Sequence, residues 1–522
     1  MNVNVARWRS RWSVPPDVLP RVPQIETALL DGELELGLAE CTARHVGADE
    51  VVLVRRLSLP VSLSVGQSDA GVARQWGEAL ARELERQLIA GGTEILRYPH
   101  RLAAWLACTQ DVLTGVSTRS WAWQRLGWLP RDAAPTLATV VQALRDEPEL
   151  VQPWLTALFA APRLPLLYAR LDATSLALTL AMIARAQGLP NDPLFSGVLA
   201  IIRGTDPDMA STAMMPSLPP RWQRRWLALP ELARAERVLW AVLIWLLAEP
   251  GLALRGASVL LGRAAALVDV APGVVIAERA LPDADGNGDG DGDGDGDLAA
   301  ARGARAPVLE SVHPDGVTAG HDDTAVARAV ADSEIAVQRH AEAAAAGAVD
   351  DIAPTPAAER LGVLTEWGGL LFLVPLVASC GALTKLLGAA SLAERPLGHV
   401  LHRLALQLLP GLRAHDAAAL AFAGWTPDFR PLDEPWPQEA ELVLAHAANL
   451  VRDSLAERLP GWAGPGLMAR VCARRATVVA DPGWFEVRFS LSEVSLDLRR
   501  AALDLDPGFV PWLGVVLRYV YE

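Results

Sequence analysis

Lysine is nearly missing from this chain. Lys385 is the single one, so arginine carries almost all of the positive charge, which is a bias of composition before it is a feature of function. Acidic residues outnumber basic ones, 61 to 47, for a formal net charge of -14. Phosphate backbones are bound by clustered cations, and this balance argues against a nucleic-acid partner. The four cysteines, Cys41, Cys108, Cys380 and Cys472, stand far apart without CxxC spacing, which excludes the usual zinc patterns. The first thirty residues hold arginines and prolines but no apolar core of a secretory signal, so cytoplasmic synthesis with reduced thiols is expected. No P-loop, HExxH or GxSxG element occurs, and no GxGxxG follows a strand. No catalytic residue, metal site or cofactor is therefore assigned.

What is present is apolar, and rich in tryptophan. Hydrophobic residues make up 51% of the 522, enough for several cores. Tryptophan (18) outnumbers phenylalanine (8) and tyrosine (4) together. Trp128, Trp154, Trp425, Trp436 and Trp512 fall near segment ends, where a large ring can close the edge of a core.

The chain turns on residues 365–425. TEWGGLLFLVPLVASCGALTKLLG is apolar on every side from Trp367 to Leu383, as a helix buried in a core would be. Its uncharged run is about as long as the shortest bilayer spans, but Pro375 interrupts it and ASCGA is built of small residues, so a buried core helix is expected. Leu397, Val400, Leu401, Leu404 and Leu408 then mark an amphipathic helix, with His399, Arg403 and Gln407 on its polar face. A short helix over 417–422 completes a bundle.

Elsewhere the periodicity divides the chain into five parts. In 1–95, GELELGLAE and RRLSLPVSLSV alternate like strands, Pro60 confining the second to an edge. A helix with Val72, Trp76, Leu80, Leu84 and Leu88 at spacings of four follows and stops at Gly91-Gly92. Residues 96–278 read as helical hairpins broken by Pro and Gly. Residues 279–357 are an acidic Asp/Gly and Ala-rich segment expected to be a disordered linker, with a transient helix over 325–346. Residues 358–458 hold the helical core, and 459–522 return to alternation in WFEVRFSLS, VSLDL and VVLRYVYE, read as antiparallel strands. The fold class expected is mainly α with small α+β portions.

Three places invite a chemical reading. DADGNGDGDGD resembles a calcium loop, but the twelfth position, which needs a bidentate Glu, is Gly294 or Gly296. A solvated linker is the simpler reading, with weak divalent binding left open. His399 and His402 lie three apart on the polar side of their helix and read as surface histidines. Asp497, Asp504 and Asp506 read as solvent-facing carboxylates.

Two stretches carry a family resemblance. RRLSLPVSLSV, GEALARELERQL and RLAAWLACTQDVLTGVSTRSWAW follow the order of elements at the start of tape-measure-type proteins of contractile injection systems, the phage-tail-like particles of bacteria. Arg55, Arg56 and Pro60 stand where that family favours acids, and Trp121-Ala122-Trp123 replaces its Pro-Trp-Trp turn. EWGGLLFLVPLVASCG, LGHVLHRLALQLLPG and AHDAAALAFAGW resemble the family's long apolar helix and the helices after it, and DPGFVPWLG resembles a closing segment found in the same gene clusters. The resemblance spans about half of the chain and implies a structural or assembly component, cytoplasmic or incorporated in the particle. Its partners would be tube, sheath, cap or baseplate proteins, met through Trp367, Leu371, Phe372, Leu397, Leu401, Leu404, Trp425 and Trp512. The alternatives are a stand-alone helical adaptor and an enzyme with an unrecognised site.

Overall fold

The computed structural model describes residues 4–64, 66–92, 94–161, 164–204, 218–269, 360, 362–431 and 435–522. The Asp/Gly repeat, its would-be calcium loop and the expected helix over 325–346 lie outside the described residues. The protein is mainly helical, with one sheet of two strands and one of five among the described residues.

The N-terminal region is built on the helix Asp69–Ala90. Ser68 caps it by accepting from the Gly71 amide at 3.2 Å, and Gly91 ends it at φ 65°. The helix Leu34–His45 packs along it in the same direction, Glu33 lying beside Gly77 and His45 beside Glu85. GELELGLAE is thus helix and not strand. Leu34, Leu38 and Cys41, at helical spacing, are buried, while Leu36 is 68% exposed. The helices can approach because both are glycine at the crossing: a Cβ on Gly77 would sit 2.8 Å from the Glu33 carbonyl oxygen.

RRLSLPVSLSV is also corrected. The strand is β1 (Val51–Val54), just before it, which pairs antiparallel with β2 (Ile95–Tyr98). Residues 56–64 have no ladder partner. The alternation is nonetheless real, since Leu57, Leu59, Val61 and Leu63 pack against the N-terminal core while the serines and Pro60 face water.

From 101 to 269 the chain forms the expected helical hairpins around Arg234–Ala248, in which Val238 to Leu247 are all buried. Pro148–Ala160, Ala173–Ala186, Asn191–Arg203 and Ala257–Asp269 surround it. Tryptophans fill this core: Trp105 stacks on Trp128 at 3.6 Å, and Tyr168 meets Trp240 edge-on at 5.0 Å. Trp154 lies within its helix, fully buried, and not at a segment end.

The segment 367–383 is not one helix. A 3-10 turn, Gly368–Leu373, leads into the helix Val374–Ser379, Gly381 turns the chain at φ 80°, and Ala382–Gly388 follows after a bend of 68°. Pro375, in the first turn of its helix, and the left-handed Gly381 impose the break. Leu397–Leu408, Ala417–Phe422 and Gln438–Arg458 close the second core around these pieces. No single helix among the described residues is long and apolar enough to cross a membrane.

The larger sheet runs β3 (Val363–Thr365), β4 (Ala476–Asp481), β5 (Trp484–Phe489), β7 (Val515–Tyr521), β6 (Gly508–Val510), in that spatial order. All pairs are antiparallel except β5 with β7, where Phe485 lies opposite Leu517. VSLDL is not a strand: a 3-10 turn, Leu491–Glu493, and the helix Leu496–Arg500 carry the chain toward β6. Of its alternating residues only Leu498 is buried, while Val494 and Leu496 are 46% and 62% exposed.

This sheet has a core on each face. Phe485, Val487, Phe489, Val515, Leu517 and Tyr519 belong to the C-terminal core, whereas Trp484 and Val516, on the opposite face, belong to the core of 96–268. Its turns press onto the N-terminal helices. Gly483 sits at φ 85°, and a Cβ there would lie 2.6 Å from the Pro153 carbonyl oxygen; one on Gly514 would lie 2.8 Å from Gln152 Nε2. G483A is therefore expected to destabilise the protein by about 2–4 kcal/mol, from left-handed strain and backbone overlap together. Denaturant unfolding checks this, and an unchanged midpoint would show that the turn is loose.

A histidine sits on the same seam. His100 Nδ1 accepts from the Ala103 amide at 3.1 Å and caps the helix Arg101–Thr114, its ring stacks on Trp484 at 4.2 Å, and Nε2 lies 3.7 Å from Asp481. Arg360 joins this group, donating to Glu486 at 2.9 Å and to Asp481. Burial pushes the His100 imidazole below its ordinary value, against the pull of Asp481 and Glu486. Its unfolded value is about 6.5, so the unfolded chain takes up the proton first. The stabilisation is complete above about pH 6.5 and is lost as pH falls through the lowered folded value. H100N, which keeps a capping oxygen, is expected to flatten that part of the stability–pH curve; parallel curves for the two proteins would refute the assignment.

Candidate functional site

A cleft of about 790 Å³ opens along this seam. One wall is Gln187, Leu254, Arg255, Val259 and Arg263; the other is drawn from 378–393 with Pro511 and Trp512. The first wall is held by a sharp 3-10 turn, Pro250–Arg255, after the apolar helix Arg234–Ala248. Gly251 in that turn has no room for a side chain because Leu397 packs on it. The second wall is the helix Ala382–Gly388, aimed by the bend at Gly381.

The polar groups at the cleft tie the two walls together. Arg255 donates to the carbonyl oxygens of Ala393, Leu392 (3.3 Å) and Arg395 (3.5 Å), at the end of the 3-10 turn Ala390–Leu392. Arg263 donates to Glu249 at 2.5 Å, its other nitrogen lies 3.5 Å from the Ala393 oxygen, and its guanidinium lies over the Trp245 ring at 5.1 Å. Both members of the Arg263–Glu249 pair are buried. Burial pushes the Glu249 carboxyl up, against the opposing pull of Arg263 and Arg255. Gln187 Nε2 donates to the Pro511 oxygen at 2.8 Å and to Gln152 Oε1 at 2.5 Å, and Gln152 in turn donates to the Leu246 oxygen at 3.0 Å. The arrangement holds the walls together: apolar surfaces, with side-chain donors directed at backbone carbonyl oxygens.

The eight residues singled out as contact candidates lie largely inside the protein. Leu371, Phe372, Leu397, Leu401 and Leu404 are buried in the C-terminal core. Phe372 packs on Phe489 and Tyr519, and the Tyr519 hydroxyl donates to the Leu371 oxygen at 2.7 Å. These five have no exposed surface with which to meet a partner, because the apolar stripe that marks them is the stripe the core consumes. Trp367 is half-buried beside Gly411, and Trp425 is half-buried, stacked on Phe429 at 4.1 Å. Trp512 alone of the eight lines the cleft.

Two further expectations change. His402 is buried, and its Nε2 lies 2.7 Å from the Ala414 oxygen, so it is not a surface histidine. Burial lowers its affinity for a proton. Asp504 is buried as well, accepting from Arg499 at 2.9 Å and Tyr521 at 3.2 Å. Asp506 accepts from the Tyr519 amide at 2.6 Å, and Asp497 from Trp462 at 2.9 Å. No group of three or more metal-ligating side chains occurs among the described residues. The cleft residues carry no motif, and nothing in the sequence sets them apart: that Leu254 and Val259 are apolar and yet 42% and 39% exposed is visible only in the structure.

R263M alone is expected to cost about 3–5 kcal/mol, since it strands Glu249 without a partner, whereas the E249M/R263M double replacement is expected to cost far less. A double-mutant cycle by chemical unfolding checks this; equal losses would mean that the charges are solvated.

Comparison with known proteins adds nothing to this geometry: no family model, curated protein or solved structure matches the chain.

Proposed function

We propose that the chain is a structural or assembly component of a contractile injection system, of the tape-measure-like family, acting by protein–protein contact and not by catalysis. The observation that carries this reading is apolar surface left in the open. Leu254 and Val259 line the cleft, and Leu491, Val494 and Leu496, 66%, 46% and 62% exposed, crowd the turn after β5. Single exposed leucines are ordinary, but grouped ones mark contact sites. Buried ionisable groups, in contrast, are engaged in structure. Asp111 accepts from Arg119 and Trp123, Glu249 from Arg263, and Asp504 from Arg499.

Within such a system the measuring role fits poorly. The longest helix among the described residues, Asp69–Ala90, has 22 residues, about 33 Å at ~1.5 Å per residue. A cap, a plug near the baseplate or an assembly chaperone suits the described shape of these elements better than a rod does. The partners would be tube, sheath, cap or baseplate proteins. The cleft equally favours a second reading, a stand-alone adaptor that takes a partner helix into its groove.

Deleting the gene and imaging particles by negative stain separates the two. Assembly work predicts absent, mis-sized or non-contracting particles; normal number, length and contraction would remove that reading in favour of the adaptor.

A further inference from the structure

We propose that His100 is a local acid-sensitive latch: when its ring takes up a proton, the N-terminus of the helix Arg101–Thr114 and the turn 481–484 come apart while both cores stay folded. The device is independent of the contact role proposed above.

The closed seam has no place for an imidazolium. His100 is 3% exposed, and its ring lies 4.2 Å from that of Trp484 and within 10° of parallel. Because Nδ1 accepts from the Ala103 amide at 3.1 Å, the neutral ring carries its hydrogen on Nε2, which lies 3.7 Å from Asp481. A second proton therefore has to go to Nδ1. There it would meet the Ala103 N–H, donor against donor, at the positive end of a helix dipole. The proton binds once the ring has left.

The charges around the ring do not call for another cation either. Asp481 and Glu486 are its acidic neighbours. Arg360 donates to both, and Arg488 donates to the other Glu486 oxygen at 2.6 Å. Two carboxylates are thus balanced by two guanidiniums, and Glu522, 3.8 Å from Arg488, is exposed and screened by solvent. On the flanking elements Arg97 is paired with Glu50, Arg101 with Glu147 and Arg518 with Asp49. An imidazolium would be a surplus buried charge beside Arg360.

The apolar area at stake is small, which keeps the opening local. Of the buried residues of the five-stranded sheet, only Trp484 and Val516 belong to the core of 96–268. The Trp484 indole nitrogen is buried without a partner, so water reaching it on opening restores a hydrogen bond that the closed form lacks.

Hydrogen exchange read by mass spectrometry at residue resolution tests this on the full chain, with rates corrected for their intrinsic dependence on pH. The Ala103 amide should exchange faster than amides inside Arg234–Ala248 and Gln438–Arg458. Its protection should fall about thirtyfold from about pH 7.5 to about pH 5, the ratio for a histidine that titrates near ~6.5 when open and stays neutral when closed. Asp481 does not mimic this. Despite burial, His100 and Arg360 hold its carboxyl below the ordinary value, so its own contribution is lost only below about pH 4. H100N and H100S, which keep an acceptor for the Ala103 amide, should lose the response between those two pH values. A fall as large as the parent's in either variant overturns the proposal. So does a fall in the parent confined to below about pH 4, or an Ala103 amide that exchanges no faster than the core helices, because the ring is then reached only by global unfolding. These last two outcomes are read on the parent chain and decide the matter even where neither variant folds.

Discussion

The period-two alternation of β5 and β7 is the constraint on which the rest of the structure depends. Successive side chains on a strand leave by opposite faces, so Phe485, Val487 and Phe489 enter one core while Trp484 enters another. The parallel register with β7 repeats the division one strand over, with Leu517 and Tyr519 on one side and Val516 on the other. A shift of one residue would invert every assignment and put Glu486 and Arg488 among phenylalanines. Two helical layers separated by more than a hundred residues of chain thus share a wall, and neither core is complete without it.

Close approach makes that wall rigid. Gly483 and Gly514 lie in the left-handed region at the turns, and each faces a part of Pro148–Ala160 with no space for a methyl group. Polar contacts then set direction. Gln152 and Gln187 run from the Leu246 carbonyl to the Pro511 carbonyl, so a helix end in one layer is tied to the loop before β7 in the other. Arg518, on the N-terminal face of the sheet, reaches Asp49 at 2.7 Å. Being half-exposed, this last pair orients more than it stabilises.

How much of this could be read beforehand depends on whether a signal was local. Asp69–Ala90 was legible because its cap, its spacing of four and its terminal glycine all agree. The helices of 101–269 and Leu397–Leu408 were legible from their apolar spacing, and β5 and β7 from their alternation. Leu34, Leu36 and Leu38 misled because three alternating leucines fit a strand, while the helical set of Leu34, Leu38 and Cys41 needs eight residues and a glycine-lined neighbour to declare itself. VSLDL misled in the same way, since alternation says nothing of whether a partner strand exists. β4 gave no alternation, as Ala476, Val478 and Val479 are buried on both faces. The cleft was illegible throughout: its walls come from residues more than a hundred apart, and the apolar residues easiest to notice were those the core had already enclosed.

The Arg263–Glu249 pair shows how these levels meet. Relative to an apolar replacement a buried ion pair adds little net stability, because desolvation offsets the attraction. Its contribution is position. With one nitrogen on Glu249 and the other toward Ala393, Arg263 fixes the distance between the Ala257–Asp269 helix and the chain entering Leu397–Leu408. Arg255 repeats the measurement from the neighbouring turn. An apolar seam would close on itself, since nothing in dispersion or hydrophobic contact favours a gap. Two guanidiniums directed at the carbonyl oxygens of 392–395, with Arg263 also paired to Glu249, set the spacing of the seam at that point, and Leu254 and Val259 beside it stay in contact with solvent.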